Sequence, residues 1–331
     1  MIDPSVEPGT SPGQPLAALG LFRFTIEGRR APGLFVAGWL ATCIGGIVAF
    51  VGLLAGQTAA GAVLFVAGLA ALLVGLLFLG GTQALERRAA SLAYAGPSPI
   101  LVFAASVVGL YLAVVVVATP LRILGVSIEG PALALLGVVI QAVVVIAILR
   151  ALVVGPGALS WGEMGLRVSL PAAVRDLAWG ALLATPVIVV TAVVVAGLVT
   201  VVGSTPVSPL PPTGSSLGLA INLLAGALIA PVYEELLFRG FATTAWARVV
   251  SPAAAIVRTS VLFALAHVLT QGGASFADAF GIAVVAAAAR LPVALALGWV
   301  FLRRRSLWAA IGLHAAFNAI LLVIAEAALG A

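Results

Sequence analysis

The residues best placed to do chemistry lie on three apolar stretches. One, Glu234-Glu235-Leu236-Leu237-Phe238-Arg239, carries adjacent carboxylates and an arginine. The other two hold the only histidines of the chain, in Phe263-Ala264-Leu265-Ala266-His267 and His314-Ala315-Ala316-Phe317-Asn318. Arg239 follows Glu235 by one helical turn, so the two share a face and form an ion pair, while Glu234 points about 100° away and stays free. The paired carboxylate remains ionised and the free one is available as a general base. Helical spacing also sets His267 over Phe263 and His314 beside Asn318. A carboxylate, imidazoles and a carboxamide together can activate water and stabilise an oxyanion.

Each group also has a plainer reading. The acidic pair could be a charge cluster at a span end, and a lone helical histidine is often a hydrogen-bonded structural residue. Their joint occurrence within 85 residues, Glu234 to Asn318, favours convergence on one site. Glu234, His267 and His314 would also make a catalytic zinc set. The chain lacks His-Glu-x-x-His, so the favoured expectation is a site without cofactor, with zinc as the alternative.

The elements that must hold these groups are membrane helices. Hydrophobic residues make up 63% of the chain, charged residues 8%, and the mean hydropathy is +1.26. Soluble domains are about a quarter charged, so the fold class is all-α, a polytopic transmembrane bundle. Every one of the 16 basic residues is arginine, scattered at helix ends rather than in a patch, which excludes nucleic acid as a partner. Membrane lipid is the expected surround. Cys43, the single cysteine, excludes an intramolecular disulfide.

A span needs about 20 apolar residues, and nine candidates meet this: 34–56, 59–81, 99–118, 131–153, 176–203, 217–240, 253–271, 278–302 and 307–328. Residues 1–33 lack a signal h-region and read as a flexible cytoplasmic tail. Placing the N-terminus inside puts Arg23, Arg29, Arg30, Arg87, Arg88, Arg167, Arg175, Arg248 and Arg303 to Arg305 in the cytoplasm and only Arg122 in an outer loop. The expected location is the plasma membrane of a bacterium. Ser160 to Arg167 reads as an interfacial connector. Arg290, beside Pro292, reads as a broken span whose arginine faces water or a carbonyl, with a carboxylate partner in the site as the alternative.

Depth adds a constraint. His267 lies 14 residues beyond Ala253, roughly 21 Å into its span, whereas a carboxylate helix ending at Arg239 would leave Glu234 near the surface. The two could not meet. The carboxylate helix is therefore expected to run on past Arg239, kinked near Pro231 and ending before Pro252.

The ordered motifs resemble those of the CPBP family, which includes type II CaaX prenyl proteases and the bacteriocin-related ABI proteins. They are Glu234, Glu235 and Arg239; Phe263 and His267; His314 and Asn318. The resemblance covers about residues 155 to 325. It implies a CPBP-like catalytic core at 155–328 behind N-terminal helices at 34–154. It further implies an intramembrane endopeptidase acting on a membrane-associated peptide or protein substrate. In that family reading Glu234 activates water, His267 holds the water or the carboxylate, and His314 and Asn318 stabilise the oxyanion; Glu235 completes the set, with Arg239 and Phe263 in support. Alternatives are a non-catalytic scaffold or immunity-type protein and, more weakly, a transporter.

Overall fold

The computed structural model describes residues 25–56, 58–126, 130–166, 169–203, 208, 210–269 and 271–329. Most of the expected tail, including Arg23, and also Arg167 lie outside these residues. Among them the fold is all-helical: α1 (Pro32–Leu54), α2 (Ala59–Ala89), α3 (Pro99–Ile123), α4 (Pro131–Val154), α5 (Leu170–Val202), α6 (Ser216–Ala247), α7 (Pro252–Ala266), α8 (Phe276–Arg304) and α9 (Leu307–Ala327). Eight of these are long and apolar enough to cross a membrane. The protein is an integral membrane protein.

Local chemistry sets the boundaries. The hydroxyls of Thr58, Ser98, Ser215, Ser251 and Ser275 each accept a hydrogen bond from the backbone N–H three residues on, capping α2, α3, α6, α7 and α8. Proline occupies the first turn of α1, α3, α4 and α7, where its missing N–H costs no helical bond.

The seventh expected span, 253–271, is shorter than its hydropathy implies. Helix α7 ends at Ala266 after 15 residues, roughly 22 Å, against about 30 Å of hydrocarbon. A helix end at that depth is tolerated where it lines a cavity, and the next residue, His267, does so. The expected break at Pro292 is absent, for α8 runs through it.

One end of the bundle is tied together by arginines. Arg29 pairs with Glu86, Arg87 donates to Gly96 O and Arg88 to Pro156 O; Arg248 pairs with Glu163 and Arg304 with Asp176. These ties join the start of α1 to the end of α2, and the α4–α5 connector to the ends of α2 and α6. Gly165 O in that connector accepts from Leu307 N at the start of α9. At the opposite end, Glu326 near the end of α9 accepts hydrogen bonds from Thr213 and Ser215 before α6.

Two close helix contacts fix the site helices. A Cβ placed on Gly180 of α5 would collide with Ala309 backbone, and one on Gly312 of α9 with Leu177 backbone. Small residues at these crossings let the helix axes approach, the usual route to tight packing in lipid. Gly312 lies two residues before His314, so this crossing sets the height of the histidine. Gly312→Val is expected to lower stability by about 1–3 kcal/mol through overpacking, read as a fall in melting temperature in detergent. An unchanged melting temperature would contradict the tight crossing.

In the connector, Glu163 accepts from the Ser160 N–H and hydroxyl and from Arg248, which holds its carboxyl down to about 2 from an ordinary 4.5. A depressed pKa stabilises the fold above the ordinary value, and the contribution disappears as pH falls through the folded one. The melting-temperature advantage of the native chain over Glu163→Gln should thus be full above about pH 4.5 and vanish towards pH 2.

Candidate active site

Helix α6 carries the carboxylates and runs on past Arg239 to Ala247, as the depth of His267 requires. It is not a uniform α-helix. Residues Leu224–Ile229 and Leu236–Thr243 adopt wider π turns, with each carbonyl bonded five residues on. The first widening immediately precedes Pro231, where the kink is expected. Leu236 to Thr243 are all buried, which marks α6 as the central helix.

The π turn explains the place of Asn318. Ala230 N–H donates five residues back to Ala225 O, so the next carbonyl in the series, Gly226 O, faces Pro231, which has no N–H. Asn318 Nδ2 supplies the donor at 2.7 Å. One amide hydrogen of Asn318 is committed to α6, and its carboxamide faces the site.

Glu235 is the buried anchor. Its Oε1 accepts from Arg239 Nη1 at 2.9 Å and from His314 Nδ1 at 2.7 Å, and both Glu235 and Arg239 are 0% exposed. The ion pair expected from the i, i+4 spacing is present, and the histidine joins it as a third member. Arg239 Nη2 also donates to Ala294 O of α8 at 3.2 Å, and its guanidinium carbon lies 4.5 Å from the Phe263 ring centroid. Phe263 in turn sits with its centroid 4.5 Å from the His267 ring and 5.9 Å from the His314 ring. The Phe263 ring thus packs against the guanidinium and both imidazoles.

The orientation of His267 follows from the end of α7. Its backbone N–H bonds Ala264 O, three residues back, leaving Phe263 O free to take His267 Nδ1 at 2.8 Å. A carbonyl only accepts, so Nδ1 carries a proton, and in the neutral ring Nε2 is then the unprotonated nitrogen. That atom lies 4.0 Å from Glu234 Oε2, and His314 Nε2 lies 3.9 Å from the same oxygen. These spacings exceed a direct hydrogen bond and suit one shared water. Glu234 Oε2 has no protein hydrogen-bond partner, and its Oε1 lies 3.4 Å from the Tyr233 hydroxyl, which donates to Gln141 at 2.8 Å.

Glu234, His267, His314 and Asn318 open on one cavity of ≈ 620 Å³ between α3, α4, α6, α7, α8 and α9. Its walls are mostly apolar, with Val107, Leu110, Val138 and Leu237 among them. Every sequence-predicted site residue is at the cavity or packed directly behind it. Sequence reasoning missed Tyr233 and Gln141, which also line it, and Arg290, for which a place in the site was the alternative reading, lines it as well. Gln141 is the sole glutamine of the α4 span, without a polar neighbour at helical spacing, and only α4 packing on α6 reveals its partner. Among the described residues, no group of three or more His, Cys, Asp or Glu side chains could hold a metal ion.

A half-buried carboxylate thus faces two anchored imidazoles inside the apolar helix bundle of an integral membrane protein. Residues 216–320 match the family described as type II CAAX prenyl endopeptidase, Rce1-like. All the motif residues, from Glu234 to Asn318, fall within this segment. No curated protein and no solved structure matches the chain.

Arg239→Ala would leave Glu235 and His314 buried without the cation, a loss expected to cost about 3–5 kcal/mol. Thermal unfolding in detergent should show Arg239→Ala far less stable than Glu234→Gln, whose side chain faces the cavity. Equal melting temperatures would contradict the anchoring role.

Proposed function

We propose that the protein is an intramembrane endopeptidase that cleaves a membrane-associated peptide or C-terminal segment by direct attack of water. The observation that carries this reading is the approach of two Nε2 atoms to Glu234 Oε2, at 4.0 and 3.9 Å, with both Nδ1 atoms anchored from behind. Glu234 takes a proton from the water while the unprotonated His267 Nε2 accepts its second hydrogen and aims the lone pair. The water oxygen bonds to the scissile carbonyl carbon, and the carbonyl π electrons move to oxygen. His314, its Nδ1 proton held by Glu235, donates from Nε2 as imidazolium to that oxyanion, and the Asn318 carboxamide assists. When the tetrahedral intermediate collapses, the C–N bond breaks and Glu234 returns its proton to the leaving amine. The Tyr233 hydroxyl steadies the carboxylate when its one hydrogen turns from Gln141 to Glu234.

The apolar cavity wall suits an apolar or lipidated substrate segment. The N-terminus is proposed to be cytoplasmic, since Arg29, Arg87, Arg88, Arg248 and Arg304 gather at one end of the bundle. The reaction is proposed to proceed without metal; stoichiometric zinc in the purified protein, with cleavage abolished by a chelator and restored by zinc, would overturn that part.

Glu234→Gln keeps the shape of the base and removes its function. It is expected to lower cleavage of an S-prenylated peptide by at least about a hundredfold, as loss of a general base does, while abundance and melting temperature hold. Undiminished cleavage would refute the mechanism. A cellular function that survives in this variant would favour the scaffold reading.

A further inference from the structure

Arg290 is a cation that the catalytic scheme leaves unused. It lies at the middle of α8, 14 residues from Phe276 (290 − 276) and 14 from Arg304 (304 − 290), roughly 21 Å from either end. A charge at that depth is costly and calls for an anion. The other deep arginine, Arg239, has Glu235. Arg290 lines the same cavity as Glu234, His267 and His314, yet among the described residues no carboxylate oxygen comes within 4.0 Å of it and no hydrogen bond engages it. Glu234 lies near enough for its charge to be felt, beyond contact distance. The space between these two opposite charges is the space a substrate must occupy.

We propose that Arg290 is the residue that binds the terminal α-carboxylate of the substrate peptide and so sets the distance from that terminus to the cut. This rests on the peptidase reading. A planar guanidinium takes a carboxylate through two parallel N–H bonds, which fixes direction as well as charge. Depth argues against a lipid headgroup, because headgroup phosphates stay at the interface while Arg290 is at mid-span. The anion must therefore arrive on a chain that enters the cavity, and a peptide whose scissile bond reaches Glu234 brings its terminus with it. The extent of the cavity limits how far that terminus lies from the cut. Arg290 is thus a specificity-determining residue rather than part of the bond-breaking set.

The test compares an S-prenylated peptide with a free terminal carboxylate, the same peptide as its carboxamide, and a carboxamide bearing a glutamate in the last position. The full chain is reconstituted in liposomes. The native protein should prefer the acid to the amide by at least about tenfold in kcat/KM, the glutamate peptide behaving as the amide. Arg290→Gln should bring the acid-to-amide ratio close to one, and Arg290→Lys should keep part of it. The ratio cancels any effect on Glu234 common to both peptides. Equal cleavage of acid and amide by the native protein, a ratio unchanged in Arg290→Gln, or a glutamate peptide as good as the acid would each overturn the assignment. Binding of the labelled peptides to Glu234→Gln and to Glu234→Gln with Arg290→Gln gives a readout independent of cleavage. If no peptide is cleaved the peptidase reading fails, and equal binding of acid and amide in Glu234→Gln would separately sink the role of Arg290.

Discussion

The structure depends on one buried charge cluster, Glu235 with Arg239 on one side and His314 on the other. Ionised groups at 0% exposure persist only when their attraction and hydrogen bonds offset the loss of water. Here one carboxylate oxygen serves two donors from two helices, and Arg239 reaches a third helix through Ala294 O. Helices α6, α8 and α9 therefore cannot slide past one another without breaking the cluster. What the cluster positions is Glu234, one residue away and turned to the cavity, and the outer nitrogen of His314.

Irregular backbone supplies the rest of the site. Helix α7 stops before His267, and the carbonyl left without its usual partner orients the imidazole. The π turn ahead of Pro231 leaves Gly226 O without a backbone donor, and Asn318 fills the gap. In both cases a broken backbone bond is answered by a site side chain. Such exceptions are expensive in lipid and occur where protein or a cavity surrounds them. They concentrate polar groups at one depth, which is the requirement for reaching a peptide bond there.

Much of this was legible in the chain. Each histidine, carboxylate and amide had a plainer reading by itself and only their joint occurrence pointed to a site, while the i, i+4 step from Glu235 to Arg239 correctly forecast their pairing. The continuation of α6 past Arg239 followed from depth alone. Other features left no signal in composition or period. Hydropathy carried the seventh span on to residue 271, because Leu265 and Val268 to Leu269 are as apolar as the helix before them, and cannot show where hydrogen bonding changes. The bond from His314 to Glu235 needs the crossing of α9 on α6, and Arg290 faces the cavity through tertiary packing that local spacing does not encode.

The central claim is that Glu234 activates a water rather than attacking the peptide itself. Single-turnover cleavage in water enriched in oxygen-18, with enzyme in excess over an S-prenylated peptide, tests it most directly. Direct hydrolysis predicts one heavy oxygen in the newly formed carboxylate of the first product molecules. An unlabelled first product, its oxygen drawn from the enzyme's own carboxylate, would contradict the account.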